Sequence, residues 1–135
     1  MMAQLNGRYI FDQDDNYEAY LKAADVGMIQ RTAMASTKPD ILVDVKEDQI
    51  TIAEVTTLRT IEVSFRLGQE YKHDPGTGRS ASYVTVLQGD DTLATTEVDD
   101  STASTIYKFT NDSLVITLTT KGVTATRTFR RAQGT

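Results

Sequence analysis

The chain has 135 residues and a mass of 14.9 kDa, enough for one domain with a real core and too little for two. Acids outnumber bases 19 to 14, giving a net charge of -5, so the basic footprint of a nucleic-acid binder is absent. Cysteine is absent, which excludes a disulfide framework, thiolate catalysis and cysteine-bound zinc. The single histidine, His73, excludes a histidine-rich metal site and leaves one candidate for any Ser-His-Asp triad. Apolar residues at 39% and charged residues at 24% fit a soluble globular chain, and no apolar run is long enough to span a membrane.

The first residues, Met1-Met2-Ala3-Gln4-Leu5-Asn6-Gly7, carry neither a basic region nor an apolar run, so a cytoplasmic location is expected. A first strand is predicted over 5–14. Residues 16–36 then break the strand pattern. Asp15 or Asn16 is a plausible helix N-cap, and Tyr17, Tyr20, Leu21 and Ala24 follow the spacing of one helical face. Gly27 interrupts, a second short helix follows, and Pro39 restricts Lys38 to extended geometry.

From there threonine dominates. Nineteen of the chain's 21 threonines lie after residue 50. Threonine and valine favour the pleated surface of a strand and make poor helix interiors. Ile61, Val63 and Phe65 alternate with Glu62, Ser64 and Arg66, the period of a half-buried strand. Turn residues recur about every ten positions, from Glu47-Asp48 through Gly89-Asp90 to Lys121-Gly122. Strands are therefore predicted over 40–46, 49–55, 59–66, 70–73, 79–88, 91–98, 104–110, 113–120 and 123–131. Gly76-Thr77-Gly78 lacks the third glycine and the helix start of a dinucleotide site and is a turn. Asn111-Asp112-Ser113 matches a glycosylation sequon but is expected to be a reverse turn, and His73 a solvated loop residue.

About ten strands in meander order cannot leave two long edges bare, and closing the sheet removes them. The two helices after the first strand are placed to cover one mouth of the resulting barrel. The expected fold is all-β: about ten antiparallel strands closed into an up-and-down barrel with two helices over one mouth, one domain over residues 1–135.

Several motifs sharpen this. They are Gly7-Arg8-Tyr9-Ile10-Phe11, Asn16-Tyr17-Glu18-Ala19-Tyr20-Leu21, Val26-Gly27, Lys38-Pro39, Glu62-Val63-Ser64-Phe65, Leu67-Gly68-Gln69-Glu70-Tyr71 and Lys121-Gly122-Val123-Thr124-Ala125-Thr126-Arg127. In this order and spacing they resemble the intracellular lipid-binding proteins, the fatty-acid-binding and cellular retinoid-binding group, over essentially the whole chain. The resemblance implies a ten-stranded antiparallel up-and-down β-barrel (β-clam) with a helix-turn-helix lid and an internal cavity, and reversible carriage of a fatty acid or other hydrophobic carboxylate; it implies neither enzyme activity nor a cofactor, and no metal site is expected. It also implies the site. The family's last-strand Arg-x-Tyr pair reads Arg127-Thr128-Phe129 here, so the arginine is kept and the hydroxyl lost. Aligning Ile106 and shortening the following turn by one residue puts Lys108 at the second internal cation, a point charge without the planar fork of arginine. Positive charge at both positions favours an acid over an alcohol. Ile106, Ile116 and Leu118 would line the cavity, Tyr17 and Tyr20 would face it from the lid, and Met28, Ala33 and Leu58 would line the portal. Lys22, Arg31 and Arg59 are candidates for a basic patch making transient contact with anionic membranes. The chain departs from the family in having no tryptophan: Tyr9 and Val98 stand at frequent tryptophan positions. A monomer is expected. A stress-protective or structural barrel, or a carrier of retinoids or bile acids, remains the alternative.

Overall fold

The structure, a computed structural model, describes residues 5–132. Among them ten strands form one antiparallel sheet: β1 (Gly7–Asp15), β2 (Asp40–Lys46), β3 (Gln49–Val55), β4 (Thr60–Arg66), β5 (Tyr71–His73), β6 (Ala81–Gln88), β7 (Thr92–Glu97), β8 (Asp100–Phe109), β9 (Ser113–Thr120) and β10 (Val123–Arg131). The order is β4-β3-β2-β1-β10-β9-β8-β7-β6-β5, so the first and last strands pair in the middle of the sheet. The sheet curls into a nearly closed barrel. No ladder joins β4 to β5, but Phe65 stacks on Tyr71 across that gap with centroids 4.8 Å apart, and the Gly68 amide donates to Thr85 O at 2.8 Å. No helix among the described residues is long and apolar enough to cross a membrane.

Most strands fall where alternation predicts them. The largest difference is β8, which begins at Asp100 rather than 104. A bulge between Thr96 and Glu97 brings Glu97 opposite Asp100, and pairing resumes at once after a tight turn.

Two helices separate β1 from β2: α1 (Tyr17–Ala23) and α2 (Met28–Ala35). The expected side-chain N-cap is not formed. Asn16 adopts a left-handed φ of 64°, and its amide donates instead to Thr124 O at 2.9 Å, fastening the lid to β10. Further ties are Lys121 Nζ to Asp25 Oδ2 at 2.8 Å and Arg79 to Ala24 O at 3.0 Å. The phase of α2 also differs from expectation. Gln30, Arg31, Met34 and Ala35 face the barrel, leaving Met28 70% and Ile29 89% exposed.

One apolar cluster fills the barrel end away from the lid, built from residues such as Tyr9, Ile50, Phe65, Leu93, Leu114 and Phe129. Tyr9 fills a position where the family often has tryptophan, fully buried, with its hydroxyl donating to Leu5 O at 2.8 Å. A second cluster of Tyr17, Leu21, Val26 and Ala125 docks the lid on β10. Burial makes these positions unequal. Replacing Leu114, which is fully buried, by alanine will cost about 3 kcal/mol, whereas Leu58→Ala at a site 90% exposed will change stability by less than about 0.5 kcal/mol, both read from urea unfolding.

Candidate functional site: a lidded cavity around Arg127

Between the lid and the lower core lies a cavity of about 400 Å³, lined by residues from both helices and from β2 through β10. Its walls are largely apolar, with Ile52, Val63, Phe65, Ile116, Leu118 and Phe129 among them. That size falls in the range of small-molecule sites.

One formal charge is deeply set in the wall. Arg127, on β10, is 4% exposed. Its Nε donates to Asp14 Oδ1 at 2.7 Å, and Asp14 is its cross-strand partner on β1. Its NH1 lies 3.7 Å from Glu54 Oε1 on β3, and its NH2 is 3.4 Å from Thr37 O after α2. The guanidinium carbon sits 4.1 Å from the Tyr17 ring centroid and 5.5 Å from that of Phe11, both within cation–π range. Burial pushes the Tyr17 hydroxyl up to about 12 against the opposing pull of Arg127, so it is a neutral donor at physiological pH. Burial likewise raises the Glu54 carboxyl, while Arg127 and Arg59 pull it back down.

Other polar groups reach the cavity. Tyr71 and Thr85 share a hydroxyl hydrogen bond of 2.7 Å, and Thr85 and the cavity-lining Thr95 another of 2.6 Å. A buried hydroxyl chain of this kind satisfies its own members. His73 also lines the cavity, edge-on to Tyr83, and burial lowers its basicity. It is a half-buried wall residue rather than the solvated loop histidine expected.

Of the residues singled out from sequence, Arg127, Phe129, Tyr17, Tyr20, Ile116 and Leu118 meet at this cavity. Lys108 does not. Its neighbours Tyr107 and Phe109 point inward, and β8 alternates, so Lys108 faces solvent and pairs with Asp91 at 2.8 Å. The β8–β9 register puts Tyr107 opposite Ile116, which makes tyrosine the inward residue where a second cation was expected. Ile106 shares the outward parity of Lys108 and is not part of the cavity wall. Met28, Ala33 and Leu58 are exposed outside it, and Met34 is the residue α2 contributes. The basic patch does not assemble as expected. Arg31 donates to Val26 O at 3.0 Å and lies 3.8 Å from Glu18, and the Arg59 guanidinium is folded against Gly76.

Two carboxylates at the site are not among the residues that sequence reasoning selects. Glu54 carries a signal, since it continues the i, i+2 series Ile50, Ile52, Glu54 onto the apolar face of β3. Asp14 carries none. A register shift between Phe11 and Gln13 turns it inward, and nothing in the local pattern announces the bulge. Asp14→Asn removes the charge-assisted bond to Nε but leaves Glu54 within 3.7 Å of the guanidinium, so it will lower stability by about 2 kcal/mol in urea unfolding at pH 7, more than the replacement of any exposed aspartate.

Comparison with known proteins agrees with this geometry. The model of the Lipocalin / cytosolic fatty-acid binding protein family matches residues 6–133. A fatty acid-binding protein of Tyrophagus putrescentiae is 32% identical over 130 residues, covering 96% of this chain and 99% of that protein. One of Lepidoglyphus destructor is 30% identical over 131 residues, covering 97% and 100%. The solved structure of a Schistosoma mansoni fatty acid binding protein in complex with arachidonic acid superposes with a TM-score of 0.91 over 98% of both chains; at 21% identity that likeness is one of fold. With the family pattern spanning nearly every described residue of a lidded ten-stranded barrel, the chain belongs to the lipocalin and cytosolic fatty-acid-binding protein family.

Proposed function

We propose that this chain reversibly binds a long-chain fatty acid, or a similar hydrophobic anion, in its barrel cavity and carries it through the cytoplasm as a monomer without transforming it. The observation that carries the proposal is Arg127: a guanidinium 4% exposed, set in the wall of a mostly apolar cavity of about 400 Å³. The naming of its relatives as fatty acid-binding proteins supports the same reading. An acyl chain leaving water supplies roughly 0.8 kcal/mol per buried CH₂, offset in part by the lost freedom of the ligand. The arginine adds a charge-assisted bond, roughly twice as strong as a neutral one, and so orients the head. Tyr17 and Tyr20 close over the ligand from α1.

Loading requires the lid to part from the barrel rim. Three elements meet there at Gly76: Gln30 of α2 donates to its carbonyl, and Arg59 of the β3–β4 turn lies against it. Next to these residues in sequence, Met28, Ile29 and Leu58 stand in solvent. Such apolar tips suit brief contact with a membrane surface.

With no tryptophan in the chain, calorimetry is the direct probe. Titrating the delipidated protein with oleate will give one site of micromolar or tighter affinity, weakened at least tenfold by Arg127→Gln in protein that circular dichroism shows to be folded. Absence of heat at any ligand excess would overturn the proposal in favour of a barrel kept for its stability.

A further inference from the structure

The cavity arginine is already neutralised. Asp14 holds the Nε edge at 2.7 Å, while Tyr17 and Phe11 lie against the guanidinium. What remains for a ligand is the end bearing NH1 and NH2, whose contacts are the longer ones, 3.7 Å to Glu54 and 3.4 Å to Thr37 O. Arg127 counts +1, and Asp14 with Glu54 counts −2, so the cluster is negative before any ligand arrives. Among the described residues no second cation forms an ion pair with Asp14 or Glu54. Lys108 faces solvent against Asp91, Tyr107 takes the inward place on β8, and Phe129 offers no donor. Arg79 is turned toward the lid carbonyls of Ala24 and Asp25, Lys121 pairs with Asp25, and Arg59, whose guanidinium lies against Gly76, acts on Glu54 only through space.

Accepting the fatty-acid reading above, we infer that Glu54 makes carboxylate binding proton-linked: an acyl carboxylate takes the free end of Arg127 only as the site gains one proton, shared between Glu54 and the ligand. Two carboxylates brought onto one guanidinium in a cavity shielded from bulk water repel each other, and this favours the pair's taking up a proton. Asp14 is the poorer candidate, because its carboxylate is already engaged by the 2.7 Å bond from Nε. Glu54 is the looser partner, one-third exposed at its side chain and lining the cavity. The groups facing it are Arg127 from β10, Asp14 from β1, Tyr17 from α1, Tyr107 from β8 and Arg59 from the β3–β4 turn. The two arginines favour its charged form, and burial with Asp14 opposes it. An added carboxylate shifts that balance toward the neutral form. The proton belongs to the pair, not to one oxygen. A ligand with an uncharged head carries no such requirement, so Glu54 sets how the cavity chooses between acids and alcohols as pH changes.

The sign follows from linkage. If the bound state holds one more proton, affinity for the acid falls about tenfold per pH unit wherever free Glu54 is ionised, and levels off at lower pH where free Glu54 is already protonated. Calorimetry of the delipidated wild-type chain with monomeric oleate at pH 8, in phosphate and in Tris, reads proton uptake directly from the buffers' different ionisation heats. The expected result is about one proton per oleate and none for oleyl alcohol. In Glu54→Gln the uptake disappears and oleate affinity at pH 8 rises about tenfold. Oleate binding without proton uptake in the wild type, or uptake that survives Glu54→Gln, would overturn the inference and leave the fatty-acid reading standing. No oleate binding between pH 5 and 8 would overturn both. The wild-type measurement decides even if the variant fails to fold.

Discussion

A guanidinium held almost entirely out of water must be met by negative charge or hydrogen-bond acceptors. Much of this barrel's upper half is arranged around meeting one. Arg127 lies on the last strand and Asp14 on the first, 113 residues apart in sequence and opposite each other in the sheet. The bond depends on the β1 bulge, which turns Asp14 inward. The chain then enters α1, whose first residue, Tyr17, lies over the same guanidinium. Strand pairing, bulge, helix start and aromatic cover thus converge on one buried positive charge beside a cavity. The second carboxylate, Glu54, joins from β3, so the cluster spans both sides of the β1–β10 seam.

The opposite side of the barrel is built differently. β4 and β5 end the sheet without a ladder between them. Their contact is made by aromatic stacking of Phe65 on Tyr71 and by the backbone of the connecting turn. The edge of β4 presents Glu62, Ser64 and Arg66 to solvent, side chains that discourage pairing with another chain. A wall held by side chains separates more readily than one held by a full ladder. The lid rests on the rigid β10 side through Asn16, Lys121 and Tyr17. It meets the looser side through Gly76 and Arg79.

Much of this architecture is legible in the amino-acid sequence, and for a physical reason. Strand existence follows from period-two alternation and turn chemistry, both local, and β2, β3, β9 and β10 have the very bounds those signals predict. The helical insert follows from a change of period. Facing direction is harder to read. An inward Lys108 requires a shortened turn after β8, but the inward series Thr105, Tyr107, Phe109 runs without a gap into the β8–β9 pairing. On α2 two apolar residues at the start suggest a portal-lining face, yet the lid packs through Met34 and Ala35 instead, because tertiary contact with α1 and the rim sets the helix phase. The expected N-cap is lost for a similar reason: Asn16 has a long-range partner on β10 that competes with the local cap. Local periodicity finds elements; bulges and lid docking, which are non-local, decide which atoms enter the cavity.

A member of this family can therefore change its chemistry without changing its fold. The substitutions that set the cavity's electrostatics fall at a handful of inward positions. Tyr107 takes the inward place expected for a second cation, and Phe129 removes a hydroxyl. Glu54 adds a carboxylate to a face that otherwise reads as isoleucine. None alters strand period, turn chemistry or the apolar core beneath. The buried arginine is different. Its charge cannot be left uncompensated while the cavity is empty. Asp14 and Glu54 supply that compensation from within the protein. The same residues that make the empty barrel stable therefore stand between the arginine and any anionic ligand, and the strength of ligand binding depends on which of them yields.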